Sequence, residues 1–187
     1  MRVVCGLGNP GEEYAATRHN VGWWVLDEAR HRWGFPAYRR DGRARVSQGS
    51  LDGLPVLLVK PTTYMNRSGG VLTPLQLRPD FEVATDLLVL VDDAALDIGR
   101  VRMRARGSAG GHNGLRSVEA SLRTQEYARL RIGVGEPPSD VELADWVLGE
   151  FDDEEESAIL ALLPDLVEAV AVWVTGGVDA AANRFNR

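Results

Sequence analysis

One imidazole, one carboxylate and a few side-chain amides in this sequence could activate water against a carbonyl carbon. The chain has three histidines. His31 lies on a polar stretch of a predicted helix and reads as a solvated surface residue. His19 stands in "ATRHN", at a loop-to-helix junction, and His112 in "GSAGGHNGL". A lone histidine is more often structural than catalytic. His19 gains weight from its company, because Asn9, the Tyr64-Met65-Asn66 segment and Asp92 all follow predicted strands on one side of the sheet. Asp92 is either a solvated strand end or a partner for an imidazole. In the second case it fixes the ring's tautomer and leaves the other nitrogen free to take a proton.

Other chemistries find less support. "GLGNPG" matches a dinucleotide-binding glycine pattern. However, Pro10 removes a backbone donor, no helix opens there, and no acidic residue ends a second strand about twenty residues on. No G-x-S-x-G elbow occurs, and Ser108 has no evident triad order around it. No His or Cys pair stands at ligand spacing, so neither a metal nor a cofactor is expected. What remains is a general base, two or three amides, and a helix start rich in N–H groups. That set suits water attack on a carbonyl with the oxyanion received by donors.

The glycine segment Gly107–Leu115 lies between a strand bearing arginines and a helix start, a natural place for an anion. Arg100, Arg102, Arg104 and Arg106 precede it, Arg116 follows, and Arg129 and Arg131 lie on a later strand. A substrate with a carbonyl and phosphates would meet all of these. A solvated arginine face beside a tight helix entry is the other reading.

The net charge of −6 conceals this distribution. From Ile98 to Arg131 there are eight arginines and two glutamates, whereas Glu136 to Val170 holds twelve acids and no base. Twenty of the 21 basic residues are arginine, Lys60 being the exception. The single cysteine, Cys5, excludes an internal disulfide and reads as a buried thiol. No continuous apolar run of about 18 residues occurs, so no membrane span is expected. The first apolar run is too short for a signal peptide, so a cytoplasmic location is expected.

The elements that must position these groups follow from periodicity. "RVVCGLG", "ARVSQGSL", "LPVLLVKP", "TDLLVLVDD", "GRVRMRA" and "YARLRIGVG" read as strands, with an Asp52-Gly53 turn joining the second and third. The unbroken apolar run before Asp92 predicts a strand covered on both faces. Helices are predicted over 20–33, 66–77 and 112–122. A longer one follows a capping box at Asp152 and Glu155, with Pro164 inside it. "GEPPSD", 135–140, reads as a mobile loop. The expected fold is α/β: a single domain, 1–187, with a twisted mixed β-sheet covered by helices on both faces.

"GLGNPGEEYAATRHNVG", "VKPTTYMNRSGG", "VDD", "GSAGGHNGLRSVE" and "RLRIGVG" together resemble the bacterial peptidyl-tRNA hydrolase family, in the same order over nearly the whole chain. The resemblance implies a monomeric, metal-free esterase that cleaves peptide from the terminal ribose of tRNA and so recycles tRNA from aborted translation. It implies that His19 is the base, that Asp92 orients it and that Asn113 positions water or oxyanion. Asn9, Tyr14, Met65, Asn66 and His112 would join Asn113 in binding substrate. Arg102, Arg104 and Arg131 would face tRNA phosphates, and the 135–140 loop would gate the cleft. Two departures stand out. Ala94-Ala95-Leu96-Asp97 replaces the family's usual Leu-Asp-Leu-Pro, which implies a changed loop beside the site, and the chain stops early at "NRFNR". A non-catalytic RNA-binding factor on the same fold, or a small-molecule esterase, are the rival expectations.

Overall fold

The computed structural model describes residues 1–186. In chain order its elements are β1 (Arg2–Gly6), α1 (Val21–Arg32), β2 (Arg39–Asp41), β3 (Ala44–Leu51), β4 (Leu54–Pro61), α2 (Val83–Asp86), β5 (Leu87–Asp93), β6 (Val101–Arg104), α3 (Asn113–Leu122), β7 (Ala128–Gly133), α4 (Leu143–Val147) and α5 (Asp153–Phe185). The strands form one seven-stranded sheet in the order β2-β3-β4-β1-β5-β7-β6. β4, β1, β5 and β7 run parallel, while β2, β3 and β6 pair antiparallel to their neighbours. Side chains alternate across the sheet. Val4, Leu88 and Leu90 therefore meet α1 and α5 on one face, whereas Val3, Cys5, Val89 and Val91 meet α3 on the other. Both faces of β5 are buried, as its continuous apolar run requires.

The expected 66–77 helix is instead two 3-10 segments, Met65–Val71 and Thr73–Leu77. Gly69, Gly70 and Pro74 weaken a regular helix there. "TDLLVLVDD" opens with the short turn of α2, so its strand starts only at Leu87. β2 and α4, too short to show a period, lay outside the sequence reading.

The capping box at the head of α5 is present: Glu155 N–H donates to Asp152 Oδ1 at 2.8 Å and Asp152 N–H to Glu155 Oε2 at 2.9 Å. By length and composition alone α5 is long and apolar enough to cross a membrane. One apolar face of it, including Ile159, Leu166, Val170 and Trp173, is buried in the core against the sheet. Pro164 is accommodated within the helix, and the backbone breaks at Gly177 (φ 82°, ψ −178°). Past that break, Asn186 reaches the edge strand β6. Its Oδ1 accepts Met103 N–H at 2.6 Å and its Nδ2 donates to Met103 O at 3.2 Å.

α1 starts close against the sheet. A Cβ on Gly22 would lie 2.8 Å from Leu90 O and 3.0 Å from Leu7 O, so only glycine lets the helix sit there. The turn just before it, Arg18–Asn20, is thereby set over the carboxyl ends of β1 and β5. Ligands of open α/β sheets bind at such strand ends.

Candidate active site

Alternation along β5 puts Asp92 on the side of Leu88 and Leu90, towards α1. His19 arrives there from the Arg18–Asn20 turn. Its Nδ1 lies 2.9 Å from both Asp92 Oδ1 and Oδ2. An ionised carboxylate only accepts, so Nδ1 carries a proton, and in the neutral ring that leaves the lone pair on Nε2. His19 is 8% exposed and Asp92 2% exposed. Burial alone would push the Asp92 carboxyl up. The electrostatic pull of the His112 and His19 rings, and the hydrogen bonds both make to it, outweigh that and hold it well below the usual carboxylate range.

The turn bearing His19 is itself anchored. Arg18, also buried, donates to Glu155 Oε2 at 2.5 Å and to Glu150 O at 2.7 Å, and its guanidinium lies 3.5 Å from the centre of the Trp146 ring. Trp146 Nε1 donates to Gly135 O at 2.8 Å. The 135–140 loop, α4 and the head of α5 are thus tied back to the residue next to the base.

Asn9 follows β1 and is buried. Asn20 holds its backbone, accepting Asn9 N–H and donating to Asn9 O, both at 2.9 Å. Asn9 Oδ1 accepts Met65 N–H at 2.7 Å, which leaves Nδ2 without a hydrogen-bond partner among the described residues. Met65 is buried, Asn66 and Asn113 are exposed, and Tyr14 is partly exposed on the strand-end side of β1.

The glycine segment earns its composition at two points. Gly110 (φ 59°) and Gly111 (φ 85°) take left-handed turns that side chains resist. A Cβ on Gly114 would lie 2.5 Å from Met65 Sδ and 2.8 Å from Leu7 Cδ1, so α3 approaches the Asn9 side closely. This delivers His112 to the acid: its Nε2 lies 2.8 Å from Asp92 Oδ1. Two rings therefore share one carboxylate, a contact the sequence reading did not anticipate.

A cavity of about 630 Å³ opens beside this cluster. His19, Asp92, His112 and Asn113 line it, together with Ala94 and Ala95 just past β5 and with Leu143, Ala144 and Val147 of α4. Asn9, Tyr14, Met65 and Asn66 are not among the cavity's lining residues. The changed Ala94–Asp97 segment forms an ordered turn, with Ala95 N–H donating to Asp93 Oδ1 at 3.0 Å.

The arginines divide. Arg102 and Arg104 are exposed and have no ion-pair partner among the described residues, while Val101 and Met103 between them are buried. Arg131 pairs across from Arg102 and lines the cavity, held by Asp93 Oδ2 at 3.2 Å and Ser108 O at 3.0 Å. Arg129 corrects the sequence reading. It is 1% exposed, donates to Ser108 O and Gln125 O, and stacks on Tyr127, so it holds the glycine loop and meets no ligand.

His19, Asp92 and His112 are also the described group whose donor atoms lie close enough to hold an ion, all within 4.8 Å. Those atoms are already hydrogen-bonded to one another.

A family model described as peptidyl-tRNA hydrolase matches residues 3–187. The peptidyl-tRNA hydrolase of Gemmatimonas aurantiaca is 45% identical, with all of both chains covered. That of Chloroflexus aggregans is 43% identical, covering all of this chain and 99% of the relative. The crystal structure of peptidyl-tRNA hydrolase from Acinetobacter baumannii superposes with a TM-score of 0.88 at 33% identity, covering all of this chain and 94% of that one. With the family model spanning residues 3–187 and relatives above 40% identity over the full length, this chain belongs to the peptidyl-tRNA hydrolase family.

Proposed function

We propose that this chain hydrolyses the ester between a peptide, or an N-blocked aminoacyl group, and the terminal ribose of tRNA. The observation that carries this is the state of His19: Nδ1 is held by Asp92, Nε2 has no hydrogen-bond partner among the described residues, and the ring lines an open cavity. Nε2 takes a proton from water as the water oxygen attacks the ester carbonyl. The tetrahedral oxyanion is received by amide donors, of which Asn113 lines the same cavity. The intermediate then collapses, and the ribose oxygen leaves with the proton that His19 had taken.

Asn9, Tyr14, Met65 and Asn66 lie outside the cavity that His19 lines, which suits a substrate with two unlike halves. Asn9 Nδ2, Met65, Asn66 and Tyr14 would take the peptide backbone. The cavity beneath α4, flanked by Arg131, would take the ribose end, with Arg102 and Arg104 meeting phosphates beyond it. In this reading the enzyme acts as a monomer in the cytoplasm.

The test is incubation with N-acetyl-aminoacyl-tRNA and measurement of free tRNA, beside a simple soluble ester. Cleavage of the tRNA ester alone is expected, and His19→Ala should abolish it while tRNA affinity stays within about threefold. Binding without cleavage would make the protein an RNA-binding factor. Equal cleavage of both esters would make it a general esterase.

A further inference from the structure

His112 is engaged at both ring nitrogens. Nδ1 accepts the backbone N–H groups of Gly114 at 3.1 Å and Leu115 at 3.3 Å, the donors that open α3. An N–H cannot accept, so Nδ1 holds a lone pair and the ring's proton sits on Nε2, donated to Asp92 Oδ1. His19 is the mirror case, with its proton on Nδ1 and its lone pair on Nε2. The two rings lie 4.8 Å apart, centre to centre, and are held in opposite tautomers by one carboxylate.

We infer that His112 is a positioning residue that links the seat of Asn113 to the catalytic pair. Its neutral form caps the helix on which Asn113 is the first residue, and it gives Asp92 a second hydrogen bond that fixes where that carboxylate sits beneath His19. Asp92 cannot rotate away from His19 without breaking the contact to His112. α3 cannot shift Asn113 without moving His112. Base and oxyanion donor, drawn from opposite faces of the sheet, are thus kept in register by one ring. The inference rests on the hydrolase reading above.

Two substitutions separate the two tasks. His112→Asn keeps a helix-capping oxygen but is too short to reach Asp92, whereas His112→Ala loses both contacts. For the Asn variant a fall in kcat of roughly 10- to 100-fold is expected, the value of one charge-assisted hydrogen bond, with KM within about threefold. The Ala variant should fall further. A residue that served only as a helix cap would leave the Asn variant at parental kcat, and that result would overturn the link to Asp92. Equal kcat for Asn and Ala would overturn the link to Asn113. The parent enzyme also gives a readout that needs no turnover. Nitrogen-15 NMR of the histidine rings at neutral pH, assigned with the two variants, should show a bare Nδ1 on His112 and a protonated Nδ1 on His19. A protonated Nδ1 on His112 would refute the inference even in a parent that proved inactive on tRNA esters. Inactivity with the expected tautomers would instead count against the hydrolase reading alone.

Discussion

Replacing Asp92 by asparagine alters almost no volume and should disable the site through a proton's position. The new side chain has one acceptor where the carboxylate has two. His112 presents an N–H at 2.8 Å and cannot turn it elsewhere, because its other nitrogen accepts from Gly114 and Leu115. The asparagine oxygen therefore goes to His112. Its NH₂ group then faces His19 Nδ1, at the position where the carboxylate stands 2.9 Å away. An Nδ1–H facing that NH₂ is repelled and keeps only the one oxygen, also 2.9 Å away, that it would have to share with His112, so the ring is pulled towards the tautomer with a lone pair on Nδ1 and its proton on Nε2. The nitrogen that faced water is then no longer a base. Positioned general-base help supplies typically ~10²–10⁴-fold, so kcat for N-acetyl-aminoacyl-tRNA should fall by about that factor, or roughly 3–5 kcal/mol in the barrier. KM should hold within about threefold, and the variant should remain folded by circular dichroism. Adding His19→Ala to Asp92→Asn should cost little more, because both remove one function. A kcat for Asp92→Asn within about threefold of the parent would falsify the reasoning.

Two further outcomes follow from the geometry. Arg104→Ala should weaken tRNA binding and lower the slope of log K against log salt by about 0.7–0.9, one phosphate contact; a slope equal to the parent's in a salt titration would remove Arg104 from the interface. Gly114→Ala places a methyl 2.5 Å from Met65 Sδ, so it should cost about 1–3 kcal/mol, a fall in Tm of roughly 2–10 °C by calorimetry; an unchanged Tm would show that the α3 contact is loose.

Much of the molecule was legible because its signals are local or periodic. The apolar run of β5, the alternation of β6 and the Asp152–Glu155 box each announce an element without reference to the rest of the chain. His19 and Asp92 were legible as a pair because one stands at the head of a predicted helix and the other just past a predicted strand, on one side of a sheet. The rest depends on contacts between distant segments. Nothing local says that Arg129, in a strand of alternating arginines and apolar residues, turns inward to hold the glycine loop. Nor does a lone histidine at a helix start reveal that its far nitrogen reaches Asp92, 20 residues earlier. Arg18 and Asn20 flank His19 in "TRHN", and their polarity beside a base was the one available sign that the turn is buttressed on both sides. α4 spans five residues, too short for a period, yet it walls the cavity.

The contact between Asn186 and Met103 bears on how this molecule keeps company with its own kind. β6 is the last strand of the sheet, and the outward amide and carbonyl at its middle would otherwise invite a strand from another chain. Asn186 fills both, using a side-chain amide to imitate one residue of a neighbouring strand. The rim that carries Arg102 and Arg104 is thereby sealed against sheet extension while its cationic side chains stay in water. The break at Gly177 is what lets the chain's last turn come round to close that edge.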